Sequence, residues 1–159
     1  MPEITTDIIV RDAVATDLNA LRRLYRQLHP DDTTSVDELA AALHALQESS
    51  CARVRVASRH GQVVGTLTLY ILPNLTRNGR PGGILENIVV DHACRREGIG
   101  AILLRDAERI AASRGCYKLA LSSADHRLDA HRFYETHGYA RHGISYRRIP
   151  TDPDAEASG

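Results

Sequence analysis

The residues best suited to chemistry lie in one run, Val89-Val90-Asp91-His92-Ala93-Cys94-Arg95-Arg96-Glu97-Gly98-Ile99-Gly100-Ala101. A buried strand gives way there, through a basic turn that contains glycine, to an amphipathic helix. The start of a helix has backbone N–H groups without carbonyl partners and the positive end of the helix dipole, which suits an anion. Glycine at 98 and 100 removes the Cβ that would keep a phosphate from those amides. Arg95 and Arg96 add charge matched to a diphosphate. The same two glycines would also serve a tight turn or close helix packing. A dinucleotide fingerprint needs a third glycine where Leu103 stands, and no Gly-Lys-Ser/Thr of a phosphate loop occurs.

The other reactive side chains are less organised. His126 and His131 are five residues apart, which does not place both on one helix face as a metal pair requires. Cys51, Cys94 and Cys116 show no C-x-x-C spacing, so neither a zinc site nor a disulfide framework is expected. Cys94 has no base placed to make it a nucleophile. No metal is predicted.

Hydrophobic periodicity supplies the elements that must position the turn. Ile8 to Arg11 opens a sheet. Thr16 reads as an N-cap for a helix with Leu18, Leu21, Leu24, Tyr25 and Leu28 on one face, stopped at His29-Pro30. Ser35 and Glu38 form a capping box for a second helix with Leu39, Leu43 and Leu46 inward. The period then changes to two, predicting a hairpin from Arg53-Val54-Arg55-Val56 through His60-Gly61 to Val63–Leu72. A loop runs from Pro73 to Gly83, and Ile84–Val90 is a strand broken by the polar Glu86 and Asn87. The helix after Gly98 ends at Gly115, Tyr117–Ser122 reads as a strand, and a short helix carrying Ala130, Phe133, Tyr134 and His137 closes at Gly138. Tyr139–Ile149 is expected to supply a last strand, and residues 151–159 a polar tail.

The 159 residues fit one domain, expected over 1–150. Hydrophobic residues make up 43% and charged residues 25%, as in an ordinary soluble protein. Twenty basic residues balance twenty acidic ones, which disfavours nucleic acid or anionic membrane as a partner. Met1 to Asp7 does not read as a signal peptide and no run is long enough for a bilayer span, so a cytoplasmic location is expected.

With Arg95, Gly98 and Gly100 as Arg-x-x-Gly-x-Gly after a strand, and Phe133-Tyr134-Glu135-Thr136-His137-Gly138-Tyr139 after Lys118–Ser122, the sequence resembles the GNAT (GCN5-related N-acetyltransferase) superfamily. The resemblance covers roughly residues 8 to 148. Asp129–Tyr134 is similar to bacterial aminoalkylphosphonate N-acetyltransferases, and Gly115-Cys116-Tyr117-Lys118 to glucosamine-phosphate acetyltransferases. The resemblance implies an α/β (α+β) GNAT fold: a mixed, mostly antiparallel sheet of six to seven strands flanked by about four helices. It also implies acetyl-CoA as co-substrate, a small-molecule amine as acceptor and a homodimer.

For the site, the resemblance implies that the strand splays near Asn87 and Ile88, so that backbone at Ile88, Val89 and Val90 pairs with the pantetheine arm. The turn at Arg95, Arg96, Gly98, Ile99, Gly100 and Ala101 would hold the diphosphate. Many members have Asn where this chain has Arg127, so Arg127 or His126 would take over that contact. His131 would line the pocket or pack.

Amide formation from a thioester needs a neutral amine, and an alkylamine with a pKa of about 10 is mostly protonated at neutral pH. Glu86, just before the cofactor stretch, is the candidate general base, with a water chain as the alternative. It would otherwise pair with an arginine or face solvent, and Asn87 either orients substrate or marks a β-bulge. By resemblance Tyr134 protonates the leaving thiolate. Asp31, Asp32 and Tyr25 are candidates to attract a cationic amine, and Arg77 and Arg80 to hold an anionic group. The competing readings are a non-catalytic acyl-CoA-binding sensor and a protein or peptide N-acetyltransferase.

Overall fold

A computed structural model describes residues 7–151. Of the segments Met1 to Asp7 and 151–159, read above as no signal peptide and as a polar tail, residues 1–6 and 152–159 lie outside the described residues. Two compact units make up the chain, the first ending at Leu121 and the second beginning at Ser122.

In the first unit the strands run β1 (Ile8–Asp12), β2 (Ala52–Arg59), β3 (Gln62–Leu72), β4 (Gly82–Val90) and β5 (Leu119–Leu121). They lie side by side in that order, antiparallel except for the parallel β4–β5 pair. The β2–β3 turn takes His60 and Gly61 at φ +49° and +79°, the left-handed pair that matches strand twist in a two-residue hairpin. Helices α1 (Leu18–Leu28) and α2 (Val36–Glu48) precede β2, and α3 (Ile99–Ser113) joins β4 to β5.

The apolar stripe of α1 drives packing. Leu21 and Leu24 are almost fully buried, in a cluster with Val54, Val56, Val63 and Val89. Each such leucine stabilises the fold by roughly 1.5–3 kcal/mol relative to exposure. The capping box of α2 forms as expected, with Glu38 N–H donating to Ser35 at 3.2 Å and Ser35 N–H to the Glu38 carboxylate at 2.8 Å. Before α1, Thr16 is not the cap. It lies inside a 3-10 turn, and the Asp17 carboxylate instead accepts the Val14 N–H at 2.9 Å and ion-pairs with Arg11.

On the opposite sheet face, α3 seats against β3 because residue 65 is glycine. A Cβ there would come within 3.1 Å of Leu103 and 3.2 Å of Ile99. Arg55, a charged residue in an alternating strand, is buried. Its guanidinium bonds Asp106 of α3 at 2.7 Å and Asp12 of β1 at 2.8 Å, which compensates the cost of burying charge.

Among the described residues the sheet has five strands rather than six to seven, while the four α-helices match. One missing strand accounts for the count, and another is shorter than expected. β5 is three residues long, because β4 departs from it after Leu85. Tyr139–Ile149 forms no strand: its apolar residues Tyr139, Ile144, Tyr146 and Ile149 do not keep a period of two, and Gly143 at φ +88° interrupts the run. Ile144, Tyr146 and Ile149 are exposed. The second unit is built on α4 (Leu128–Thr136), closed by Gly138 at φ +87°.

Candidate functional site

The turn between β4 and α3 is held from both ends. At its start Asp91 is buried and ion-pairs with Arg23 of α1. Its carboxylate also accepts the Ala93 N–H at 3.1 Å, while Gln27 of α1 accepts the His92 N–H at 2.9 Å. Burial alone would raise the Asp91 pKa, but the Arg23 guanidinium and the Ala93 amide outweigh it and hold the carboxyl below its usual range. At the other end Glu97 ion-pairs with Arg59 of β2.

Between these anchors the backbone takes left-handed geometry at Arg96 (φ +65°) and Gly98 (φ +81°). Gly98 is the N-cap of α3, and no side chain caps it. The first-turn amides of Ile99, Gly100 and Ala101 have no intrahelical carbonyl to reach. Apart from the adjoining backbone, no atom of the described residues lies within 4 Å of where a Gly98 Cβ would stand, so the approach to them is open. Arg95 and Arg96 are exposed, whereas the side chains of Ile99 and Ala101 are buried in the core, so only their amides can serve a ligand.

Strand β4 supplies a second set of free backbone groups. Along β3 its register shifts from Thr68↔Glu86 to Thr66↔Val89, which gives β4 one extra residue, and Asn87 takes φ +52° there. This is a β-bulge. On its other edge β4 pairs with β5 only at Gly83, Ile84 and Leu85. From Glu86 to Val90 that edge has no ladder partner among the described residues. Val89 points into the core, while Ile88 and Val90 are half-buried.

Glu86 is exposed, makes no ion pair among the described residues, and stands opposite Thr68. Directly paired residues share a sheet face, so Glu86 lies on the face that Thr68 turns to α1. Tyr25 of α1 reaches the same place. Burial pushes its phenol up, and the Thr66 and Thr68 hydroxyls beside it pull partly the other way.

In the second unit, Tyr134 is half-buried and its ring meets Phe133 and Tyr139 edge-on, with centroids 5.4 and 6.0 Å away. Burial raises its pKa, only partly offset by Arg127, so the phenol keeps its proton at neutral pH. His131 is engaged through Nε2 with the Ala124 carbonyl at 2.9 Å. The Arg127 side chain makes no capping bond at the start of α4. Among the described residues no group of His, Cys, Asp and Glu could hold a metal ion.

Residues 17–139 match the acetyltransferase (GNAT) family, a span that includes both the turn and α4. The chain belongs to that family. Over 82 residues it is 42% identical to the glucosamine 6-phosphate N-acetyltransferase of Trypanosoma brucei brucei, covering 52% of this chain and 54% of that protein. Over 85 residues it is 39% identical to the aminoalkylphosphonate N-acetyltransferase of Salmonella typhimurium, covering 54% of each. The chain thus spans about half the length of these curated relatives. A solved acetyltransferase structure from Trypanosoma brucei superposes with a TM-score of 0.79 at 30% identity, over 90% of this chain and 99% of that one.

Within this GNAT chain, several side chains named from sequence are already occupied. Asp32 accepts the Thr34 N–H at 2.9 Å and its hydroxyl at 2.5 Å, a local turn. Arg80 donates to the carbonyls of Gly115 and Cys116, each at 3.2 Å. Sequence reasoning missed the anchors Arg23, Gln27 and Arg59, which lie 30 or more positions from the turn and give no local signal. It also missed Ser123, which carries the one buried side-chain oxygen without a partner among the described residues.

Proposed function

We propose that this GNAT-family chain, with residues 1–150 as its acetyltransferase domain, transfers acetyl from acetyl-CoA to a primary amine of a small molecule by direct attack. The observation that carries the reading is the pairing of an uncapped helix start behind Arg95 and Arg96 with a β4 edge beside Glu86 that is unpaired among the described residues. These features fit the two halves of acetyl-CoA. The amides of Ile99, Gly100 and Ala101, with Arg95 and Arg96, hold the diphosphate. The backbone of Ile88 and Val90 takes the pantetheine amides as an added strand would. When bound, acetyl-CoA supplies the acyl group as a thioester.

The chain's own groups then handle protons and position. Glu86 removes a proton from the amine, directly or through water, on the sheet face it shares with Thr68. A β4 amide freed by the bulge polarises the thioester carbonyl. Tyr134 gives its phenolic proton to the departing sulfur, a role for which a raised pKa keeps it protonated. Arg127 and His131 are assigned to the cofactor by the family resemblance. The homodimer belongs to the same reading and rests on family membership, while the cytoplasmic location is proposed from the sequence. The named relatives act on glucosamine 6-phosphate and on aminoalkylphosphonates, each an amine that also carries a phosphorus oxyanion.

CoA release from acetyl-CoA, measured over a panel of small amines with wild type and Tyr134→Phe, tests the proposal. The reading requires turnover with at least one small amine and its loss in the variant. Binding of acetyl-CoA without turnover on any acceptor identifies a sensor, and turnover only on peptides identifies a protein acetyltransferase. Either result defeats it.

A further inference from the structure

We infer that Arg77 and Lys118, gathered on the ring of Tyr117, form an anion subsite for the acceptor, which is therefore an amine with a phosphate or similar oxyanion at its far end. The inference rests on the acetyltransferase reading above and deepens it to a substrate class.

Three observations meet at this place. The guanidinium of Arg77 and the ammonium of Lys118 each lie 5.5 Å from the centre of the Tyr117 ring. A ring face attracts one cation, but two cations on one ring repel each other, and neither has a carboxylate partner among the described ion pairs. Arg80 and Arg114 lie close by, where both act on the Cys116 thiol, so the neighbourhood is positive although the chain is neutral overall. Arg77 and Asn78 also hold φ at +56° and +59°. Left-handed geometry at non-glycine residues costs energy and collects at functional sites. Here it belongs to the loop turn that delivers Arg77 to the ring.

The cluster shares a face with Glu86. A Cβ at Gly82 would lie 3.6 Å from the Tyr117 ring and 3.9 Å from the Lys118 side chain, so both cover the side of β4 to which residue 82 points. Residues 82, 84 and 86 point to one face of β4, and their register partners Leu72, Tyr70 and Thr68 point with them on β3. The position is fixed by backbone: Tyr117 N–H donates to Pro81 O at 3.0 Å, and Gly83 N–H to Lys118 O at 2.9 Å. Four residues of strand put the cluster about 13 Å from Glu86 along β4. An acceptor whose amine meets Glu86 and whose oxyanion meets Arg77 and Lys118 therefore has the two groups well separated, rather than one or two carbons apart.

Calorimetric binding of glucosamine 6-phosphate and of glucosamine, which differ only in the phosphate, tests this without depending on turnover. Wild type should bind the phosphorylated amine about tenfold or more tightly than the free sugar, the size of one or two charge-assisted contacts. Arg77→Gln and Lys118→Gln should each erase most of that preference. Thermal melts confirm that each variant is folded. Equal binding of the two probes by wild type, or a preference that survives both Arg77→Gln and Lys118→Gln, overturns the inference. The phosphate preference without acetyl transfer would instead count against the enzyme reading and leave the subsite standing.

Discussion

Arg59, at the end of β2, ion-pairs with Glu97, the acidic residue in the basic turn that leads into α3. The pair removes a negative charge from the path of a diphosphate and leaves Arg95 and Arg96 exposed to meet it. Arg59→Gln should therefore raise KM for acetyl-CoA by roughly three- to tenfold, because it leaves Glu97 unpaired beside the anion. In Arg59→Gln/Glu97→Gln the offending charge is gone, and KM should return toward wild type. A double variant as weak as Arg59→Gln would mean that the pair only shapes the turn.

Gly98→Ala separates backbone geometry from crowding. Apart from the adjoining backbone, nothing among the described residues stands within 4 Å of the new Cβ, so the penalty comes from holding alanine at φ +81°. Loss of about 1–2 kcal/mol of stability is expected, together with a rise in KM for acetyl-CoA as the turn relaxes away from its left-handed form. Denaturant unfolding and steady-state kinetics measure the two effects independently.

Stability should fall on the acid side through buried carboxylates. For Asp106, burial would raise the pKa, but the Arg55 guanidinium and then Arg109 outweigh it, so the folded value lies below the unfolded value of about 3.9. A depressed carboxyl adds stability that is complete above the unfolded value and is lost as pH falls through the folded one. Asp91 acts in the same direction. Melting temperatures taken from about pH 5 to pH 2 should drop, and Asp106→Asn should show a lower plateau with a shallower acid slope.

Glu86→Gln and Tyr134→Phe should each reduce kcat by roughly a hundredfold or more with a smaller change in KM for acetyl-CoA, the signature of lost proton transfer. For Glu86→Gln, raising the pH toward the amine's own pKa should recover part of the rate, because more acceptor is already neutral. Tyr134→Phe should gain nothing in this way. Full kcat-against-pH profiles with one small amine distinguish the two roles.

Most of the fold was legible because its signals are local. The Ser35–Glu38 box, the His60-Gly61 hairpin and the apolar stripe of α3 each lie within a few residues of what they determine. The bulge was legible only as one of two meanings for Asn87, since its decisive feature is a register against Thr66 and Thr68 some twenty positions away. The expected strand at Tyr139–Ile149 failed because β-rich composition was read without demanding a strict period of two. The burial of Arg55 gives no local signal for a different reason. Alternation predicts which face a side chain takes, but not that α3 brings Asp106 to that face. At the site, the turn was visible and its anchors were not, because Arg23, Gln27 and Arg59 meet it only through the folded sheet.

The most direct measurement is a CoA titration followed through backbone amide signals. Progressive shifts confined largely to residues 95–101 and 86–90, and weakened by Arg95→Gln, are predicted for a diphosphate seated on the α3 amides with its arm along β4. Saturating CoA that leaves those two segments unmoved would contradict the account.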